Sequence, residues 1–141
     1  VNFRYSKPED FELGLPDFAV TDVSFISLKL IMPPLTKILK TNGCLVALIK
    51  PQFEAGREAV GKHGIVRDRK VHEQVLTEIL DFAQSQGFQV LGLDFSPITG
   101  GSGNIEFLTY LKLVGQDKVT QNPEIDIKAT VDQAWQVLLT K

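Results

Sequence analysis

The chain has 141 residues, of which 43% are hydrophobic and 23% charged, and its formal net charge is −2. This length suffices for one domain with a buried core, and the small negative charge argues against a uniformly basic nucleic-acid-binding protein. The sequence contains neither an apolar stretch of about 18 residues nor a signal-peptide core, which excludes a predicted membrane span. The single Cys44 predicts a buried, unreactive thiol and a cytoplasmic location.

The first half of the chain alternates strand and helix signals. A turn signal at residues 15–17 precedes a predicted buried strand over residues 18–24. Residues 28–40 have helical periodicity, although Pro33 and Pro34 predict either an irregular first turn or a start near Pro34. Asn42-Gly43 predicts the stop of this helix. The continuous apolar run at residues 44–49 predicts a parallel strand covered on both faces.

The second half begins with a long polar loop over residues 52–67. Residues 50–70 contain six basic and three acidic residues, a local excess that suits a phosphate-bearing partner as well as a solvated loop. Asp68 predicts the N-cap of a helix to about residue 86, followed by strands at 89–95 and 105–114 around a glycine-rich turn and by an amphipathic helix at 125–139. The order β-α-β-α-β-β-α predicts an α/β fold with a mostly parallel sheet, helices on both faces and a terminal antiparallel strand.

Three charged residues stand at the ends of predicted strands. Asp22 and Lys50 each follow an apolar run, and Glu106 lies just inside another strand. Burial of each charge is costly without a partner, so the three side chains are expected to converge at the carboxyl edge of the sheet. The residues alone allow either a structural ion network or a catalytic group.

Three sequence strings resemble one known family. They are TDVSFISL (residues 21–28), VALIKPQFE (46–54) and GIVRD (64–68). They are similar to the haemolysin A (TlyA-type) family of S-adenosylmethionine-dependent RNA ribose methyltransferases, which have an FtsJ-type, Rossmann-like fold. The similarity extends over essentially the whole chain. It implies a single, incomplete methyltransferase domain over residues 1–141, without the N-terminal strands and the N-terminal RNA-binding module.

The resemblance also implies roles for individual residues. Asp22, Lys50 and Glu106 match three members of a Lys-Asp-Lys-Glu catalytic tetrad, whose first lysine would precede Val1. The cofactor S-adenosylmethionine is expected near Asn2, Asp22 and Ser24. The expected substrate is ribosomal RNA, free or in a ribosomal subunit, and the residues expected to contact it are Lys50, Arg57, Lys62 and Arg67. Lys50 could serve as a general base or could orient the ribose hydroxyl, and both roles stay open.

Several other signals are weaker. Residues 100–103 are glycine-rich but precede a strand, so a flexible turn that carries Asn104 and Glu106 toward the site is favoured over a phosphate-binding loop. His63 and His72 lack companion ligands at metal-binding spacing, and no metal site is predicted. Trp135 is expected in the core. Two other functions remain as alternatives: a membrane-active haemolysin, which the final helix favours little because its polar face is not basic, and a non-catalytic RNA-binding fragment.

Overall fold

The computed structural model describes residues 18–21, 27–55, 64–66, 68–97 and 103–139. The strands in these ranges are β1 (Phe18–Thr21), β2 (Cys44–Ile49), β3 (Phe88–Phe95) and β4 (Phe107–Leu113). The helices are α1 (Leu28–Ile38), the single turn α2 (Pro51–Glu54), α3 (Arg69–Ser85) and α4 (Ile127–Leu139), with a short 3₁₀ turn at Gln116–Lys118. The predicted order of the strands and the longer helices is therefore confirmed for the described part of the chain, whereas the single turn α2 lies where a loop was predicted.

The four described strands form one sheet in the order β1-β2-β4-β3. β1 and β2 are parallel, whereas β4 is antiparallel to both β2 and β3. The predicted antiparallel pairing of the last two strands is confirmed. The expectation of a mostly parallel sheet is not confirmed, because two of the three described pairings are antiparallel.

The last strand lies inside the described sheet rather than at its margin. After β3 the chain turns back, and β4 enters the space between β2 and β3. The side chains of Phe107, Thr109 and Leu111 in β4 are fully buried. Because β4 lies between two strands, its backbone has hydrogen-bonding partners on both edges. The sequence predicted the hairpin, but it contained no signal for the side of β3 on which β4 would pair.

One face of the sheet carries the hydrophobic core. Leu45, Ala47 and Ile49 of β2 are buried there, together with alternate residues of β4, and helices α3 and α4 contact β3. On the other face, Phe18, Val20 and Tyr110 are 55%, 59% and 41% exposed. The prediction that helices cover both faces is therefore wrong for the described residues. Cys44 is half-buried on the open side of β2, rather than fully buried as predicted.

Helix α1 has the earlier of its two predicted starts, rather than one near Pro34. It begins at Leu28 and contains both Pro33 and Pro34. Two prolines remove two backbone donors, a cost of several kcal/mol. A buried face of five apolar side chains offsets that cost, and the first turn is held from outside by the carboxylate of Glu54. The helix ends at Ile38, and Asn42, with a φ of 65°, turns the chain toward β2.

Helix α3 matches its prediction closely. The side chain of Asp68 accepts a hydrogen bond from the backbone N–H of Lys70 at 2.9 Å, which caps the first turn. The helix ends at Ser85, and Gly87 follows with a φ of 93°. A Cβ atom at Gly87 would lie 3.1 Å from the backbone nitrogen of Gln116, so glycine also permits a close approach of two chain segments.

Candidate active site

Lys50 and Glu106 lie side by side at one end of the sheet. Ile49 of β2 and Phe107 of β4 are the final registered pair of their antiparallel ladder. Lys50 follows Ile49 and Glu106 precedes Phe107, so the two residues occupy neighbouring positions just beyond that pair. This edge is the carboxyl end of β2, where ligands bind in open α/β sheets. The structure therefore brings together the two members of the predicted trio that it describes.

The carboxylate of Glu106 is buried and has a neutral partner. Glu106 is only 7% exposed, and its Oε2 accepts a hydrogen bond from Nε2 of Gln52 at 2.8 Å. Gln52 is half-buried in α2, two residues after Lys50. Gln52 was not among the predicted site residues. Its only sequence signal was its place inside the KPQFE string.

Helix α2 holds Lys50 and Gln52 on one rigid turn. Lys50 is the N-cap residue of α2, and Pro51 occupies the first helical position, where its fixed φ is favourable. The Lys50 carbonyl accepts hydrogen bonds from the backbone N–H groups of Phe53 at 2.9 Å and Glu54 at 3.2 Å. The lysine that ends β2 and the glutamine that binds Glu106 are thus fixed relative to each other.

The carboxylate of Glu54 caps another helix and does not face Glu106. Its Oε1 accepts from the Ser27 hydroxyl at 2.6 Å, and its Oε2 accepts from the Leu28 N–H at 2.8 Å. Burial raises the pKa of Glu54, while these two hydrogen bonds and the charge of Lys29 act in the opposite direction. The bonds connect α2 to the N-terminus of α1. Glu54 is therefore a structural residue next to the site.

Asn104 joins two loop segments. Its Oδ1 accepts from the Val66 N–H at 3.0 Å, and its Nδ2 donates to the Gly64 carbonyl at 2.7 Å. Asn104 is 2% exposed, so both bonds are shielded from water. The sequence suggested a flexible turn carrying Asn104 toward the site. Instead, Asn104 anchors a segment that lies, in the sequence, between Lys62 and Arg67.

A buried histidine packs under the same end of β4. His72 is fully buried, its Nδ1 accepts from the Trp135 Nε1–H at 2.9 Å, and its ring packs edge-on against Phe107 with centroids 5.5 Å apart. Burial lowers the pKa of His72 to about 4, a shift that the charge of Asp68 opposes. His72 is therefore neutral at pH 7, and Trp135 packs against the core as predicted.

Several predicted site residues lie outside the described ranges. They are Asn2, Asp22 and Ser24 of the expected cofactor site and Arg57, Lys62 and Arg67 of the expected RNA-binding surface. Asp22 directly follows Thr21, the residue that ends β1, and β1 runs parallel to β2. His63 also lies outside these ranges. Within the described residues no group of three or more histidine, cysteine, aspartate or glutamate side chains could hold a metal ion.

Lys50 and the buried Glu106 lie at the carboxyl end of β2, which is the edge where open α/β folds bind their ligands. The sequence model of the family described as FtsJ-like methyltransferase matches residues 1–113. The chain belongs to the FtsJ-like methyltransferase family.

The names of two relatives agree with this assignment, and a solved structure has the same fold. The chain is 52% identical over 141 residues to a candidate rRNA methyltransferase, YqxC, of Bacillus subtilis, covering 99% of this chain and 50% of that protein. It is 36% identical over 99 residues to the 16S/23S rRNA (cytidine-2'-O)-methyltransferase TlyA of Mycobacterium tuberculosis, covering 70% of this chain and 37% of TlyA. A solved structure of a candidate hemolysin from Streptococcus thermophilus superimposes with a TM-score of 0.90 at 55% identity, covering 97% of this chain and 49% of that one.

A further relative carries a different name. Hemolysin A of Brachyspira hyodysenteriae is 42% identical over 109 residues, covering 77% of this chain and 45% of that protein. The chain thus spans about half the length, or less, of these curated relatives.

Proposed function

We propose that this chain carries the catalytic centre of an S-adenosylmethionine-dependent RNA 2′-O-ribose methyltransferase that acts on ribosomal RNA. The observation that supports this function most strongly is the position of Lys50 beside the buried Glu106, just beyond the final β2–β4 pair, in a chain of the FtsJ-like methyltransferase family. TlyA, which is similar over 70% of the chain, is named a 2′-O-methyltransferase of 16S and 23S rRNA.

The proposed chemistry takes place at a ribose hydroxyl. Its oxygen forms a bond to the methyl carbon as the sulfur–carbon bond breaks, and the hydroxyl proton leaves. S-adenosylmethionine supplies the electrophilic methyl group when bound. Lys50 either accepts the proton as a neutral amine or, as an ammonium, orients the hydroxyl while solvent water accepts the proton, and Glu106 holds the lysine in place.

The remaining assignments complete this proposal. Asp22 is the third member of the catalytic group, and it joins Ser24 and Asn2 in binding the cofactor. Arg57, Lys62 and Arg67 bind RNA phosphates together with Lys50, since a local cluster of basic side chains suits a polyanion on an otherwise acidic chain. Ribosomal RNA as substrate places the reaction in the cytoplasm.

The proposal is tested with the full-length protein, radiolabelled S-adenosylmethionine and unmodified 16S and 23S rRNA transcripts. We expect methyl incorporation by the wild-type protein and a loss of at least about 100-fold in Lys50→Ala, because proton transfer or orientation by such a group contributes about 10²- to 10⁴-fold. Lys118→Ala removes an exposed lysine of the 3₁₀ turn and serves as the matched control.

The assay also separates the alternatives. An active, folded Lys50→Ala protein would contradict the assignment of the site, and RNA binding without methyl transfer by the wild-type protein would favour a non-catalytic RNA-binding protein. Two relatives are named hemolysins. In the part of the chain that the structure describes, no helix is long and apolar enough to cross a bilayer. Leakage of dye from liposomes exposed to the pure protein would favour a membrane-active haemolysin instead.

A further inference from the structure

We infer that Gln52 is a positioning residue for Glu106, and that the reaction depends on the hydrogen bond between them. The amide nitrogen of Gln52 lies 2.8 Å from Oε2 of Glu106. This inference rests on the proposed methyltransferase function and adds to it a residue that does not contact the reacting atoms.

The burial of Glu106 makes this donor important. A carboxylate that is 7% exposed has little access to water, so its orientation depends on the donors that protein groups supply. Gln52 is one such donor, and it sits on the same helical turn as Lys50. The bond therefore connects the segment that carries the lysine to the segment that carries the glutamate, and it fixes the spacing of the two groups.

The other amide atom of Gln52 indicates that packing alone does not explain this residue. Oε1 of Gln52 is buried, and it has no hydrogen-bond partner among the described residues. A buried polar atom without a partner is destabilising, and an apolar side chain of similar size would avoid that cost. The amide cannot turn to relieve it, because Oε1 would then face the oxygen of Glu106. A costly polar group held against a candidate catalytic carboxylate is typical of a functional site.

The experiment compares three variants of the full-length protein in the methylation assay. Gln52→Leu removes the donor and keeps the volume, and Gln52→Glu keeps the shape. Gln89→Leu is the control, because half-buried Gln89 also donates from Nε2, to the Thr120 carbonyl at 2.9 Å, but lies at the opposite end of β3. Thermal unfolding of each variant measures its stability.

We expect kcat to fall about 10- to 100-fold in Gln52→Leu, the effect of losing one hydrogen bond to a charged group, with KM for S-adenosylmethionine unchanged. Gln89→Leu should keep the wild-type kcat. For Gln52→Glu, kcat relative to wild type should rise as the pH falls from about 8 to about 6. The introduced carboxyl group and that of Glu106 then share a proton, which restores a hydrogen bond between residues 52 and 106. For Gln52→Leu, kcat relative to wild type should not change with pH.

A Gln52→Leu protein with kcat within about twofold of wild type would overturn the inference and leave the proposed function standing. A wild-type protein that transfers no methyl group would overturn both. A second readout does not depend on activity: the side-chain N–H group of Gln52, followed by NMR, should exchange with solvent at least about tenfold faster in Glu106→Ala than in wild type. Equal exchange rates would also overturn the inference.

Discussion

Single residues in this chain differ in how far their sequence positions revealed their roles. The neighbouring positions of Lys50 and Glu106 could be predicted, because a charge at the end of an apolar run is costly and implies a partner. The roles of Gln52, Glu54 and Asn104 could not be predicted, because uncharged amides and loop carboxylates are common at exposed positions. Their roles depend on partners distant in sequence, such as Glu106 for Gln52. Only the fold shows these pairs.

His72 makes a residue-scale prediction about pH. Its pKa in the folded protein is about 4, below the ordinary value of 6.5, so the fold favours the neutral ring. The stability that this provides is fully present above pH 6.5 and is lost as the pH falls toward 4. Between pH 7.5 and pH 4.5 the loss should be about 2.5 kcal/mol.

Urea unfolding at these two pH values measures this loss, with His72→Gln as the control. A glutamine can still accept the hydrogen bond from Trp135 but does not titrate. The acid-induced loss of stability should therefore be smaller in His72→Gln by about 2.5 kcal/mol. Subtracting the loss in His72→Gln from the loss in the wild-type protein removes the contribution of Glu54. The raised pKa of Glu54 acts with the opposite sign and favours stability at low pH. Equal losses in both proteins would contradict the neutral, buried His72.

At the scale of elements, helices and strands could be predicted from periodicity and end signals. The cap at Asp68 and the glycine stop after α3 are where the sequence placed them. For helix α1 the sequence left two starts open, and the carboxylate of Glu54 and a buried apolar face stabilise the earlier one although the helix contains two prolines. Contacts from outside an element can thus override its local sequence signals.

The Asn104 anchor makes a prediction at this scale. Asn104→Ala should release the segment Gly64 to Val66, because both bonds that hold it come from one side chain. Hydrogen exchange of the Val66 backbone N–H should accelerate about tenfold or more. Asn122→Ala is the matched control, since Asn122 also makes two backbone bonds, to the Val90 carbonyl and from the Glu124 N–H. An unchanged Val66 exchange rate in Asn104→Ala would contradict the anchoring role.

At the scale of the whole molecule, the α/β class could be predicted, but the arrangement of the sheet could not. The chain order of elements does not state that β4 pairs with β2 as well as with β3. This insertion places Glu106 beside Lys50, because the β2–β4 register brings the two positions to the same end of adjacent strands. If β4 paired with β3 alone, Lys50 and Glu106 would not lie at the same end of adjacent strands. The sequence pattern also did not predict that one apolar face of the described sheet is open.

The proposed enzyme methylates the ribose of RNA from a site that contains Lys50 and Glu106. The most direct measurement is mass spectrometry of nucleosides from 16S and 23S rRNA transcripts after incubation with the full-length protein and S-adenosylmethionine. We expect a 2′-O-methylated nucleoside that is present with the wild-type protein and absent with Lys50→Ala. A methyl group on a base, or the same ribose methylation by Lys50→Ala, would contradict it.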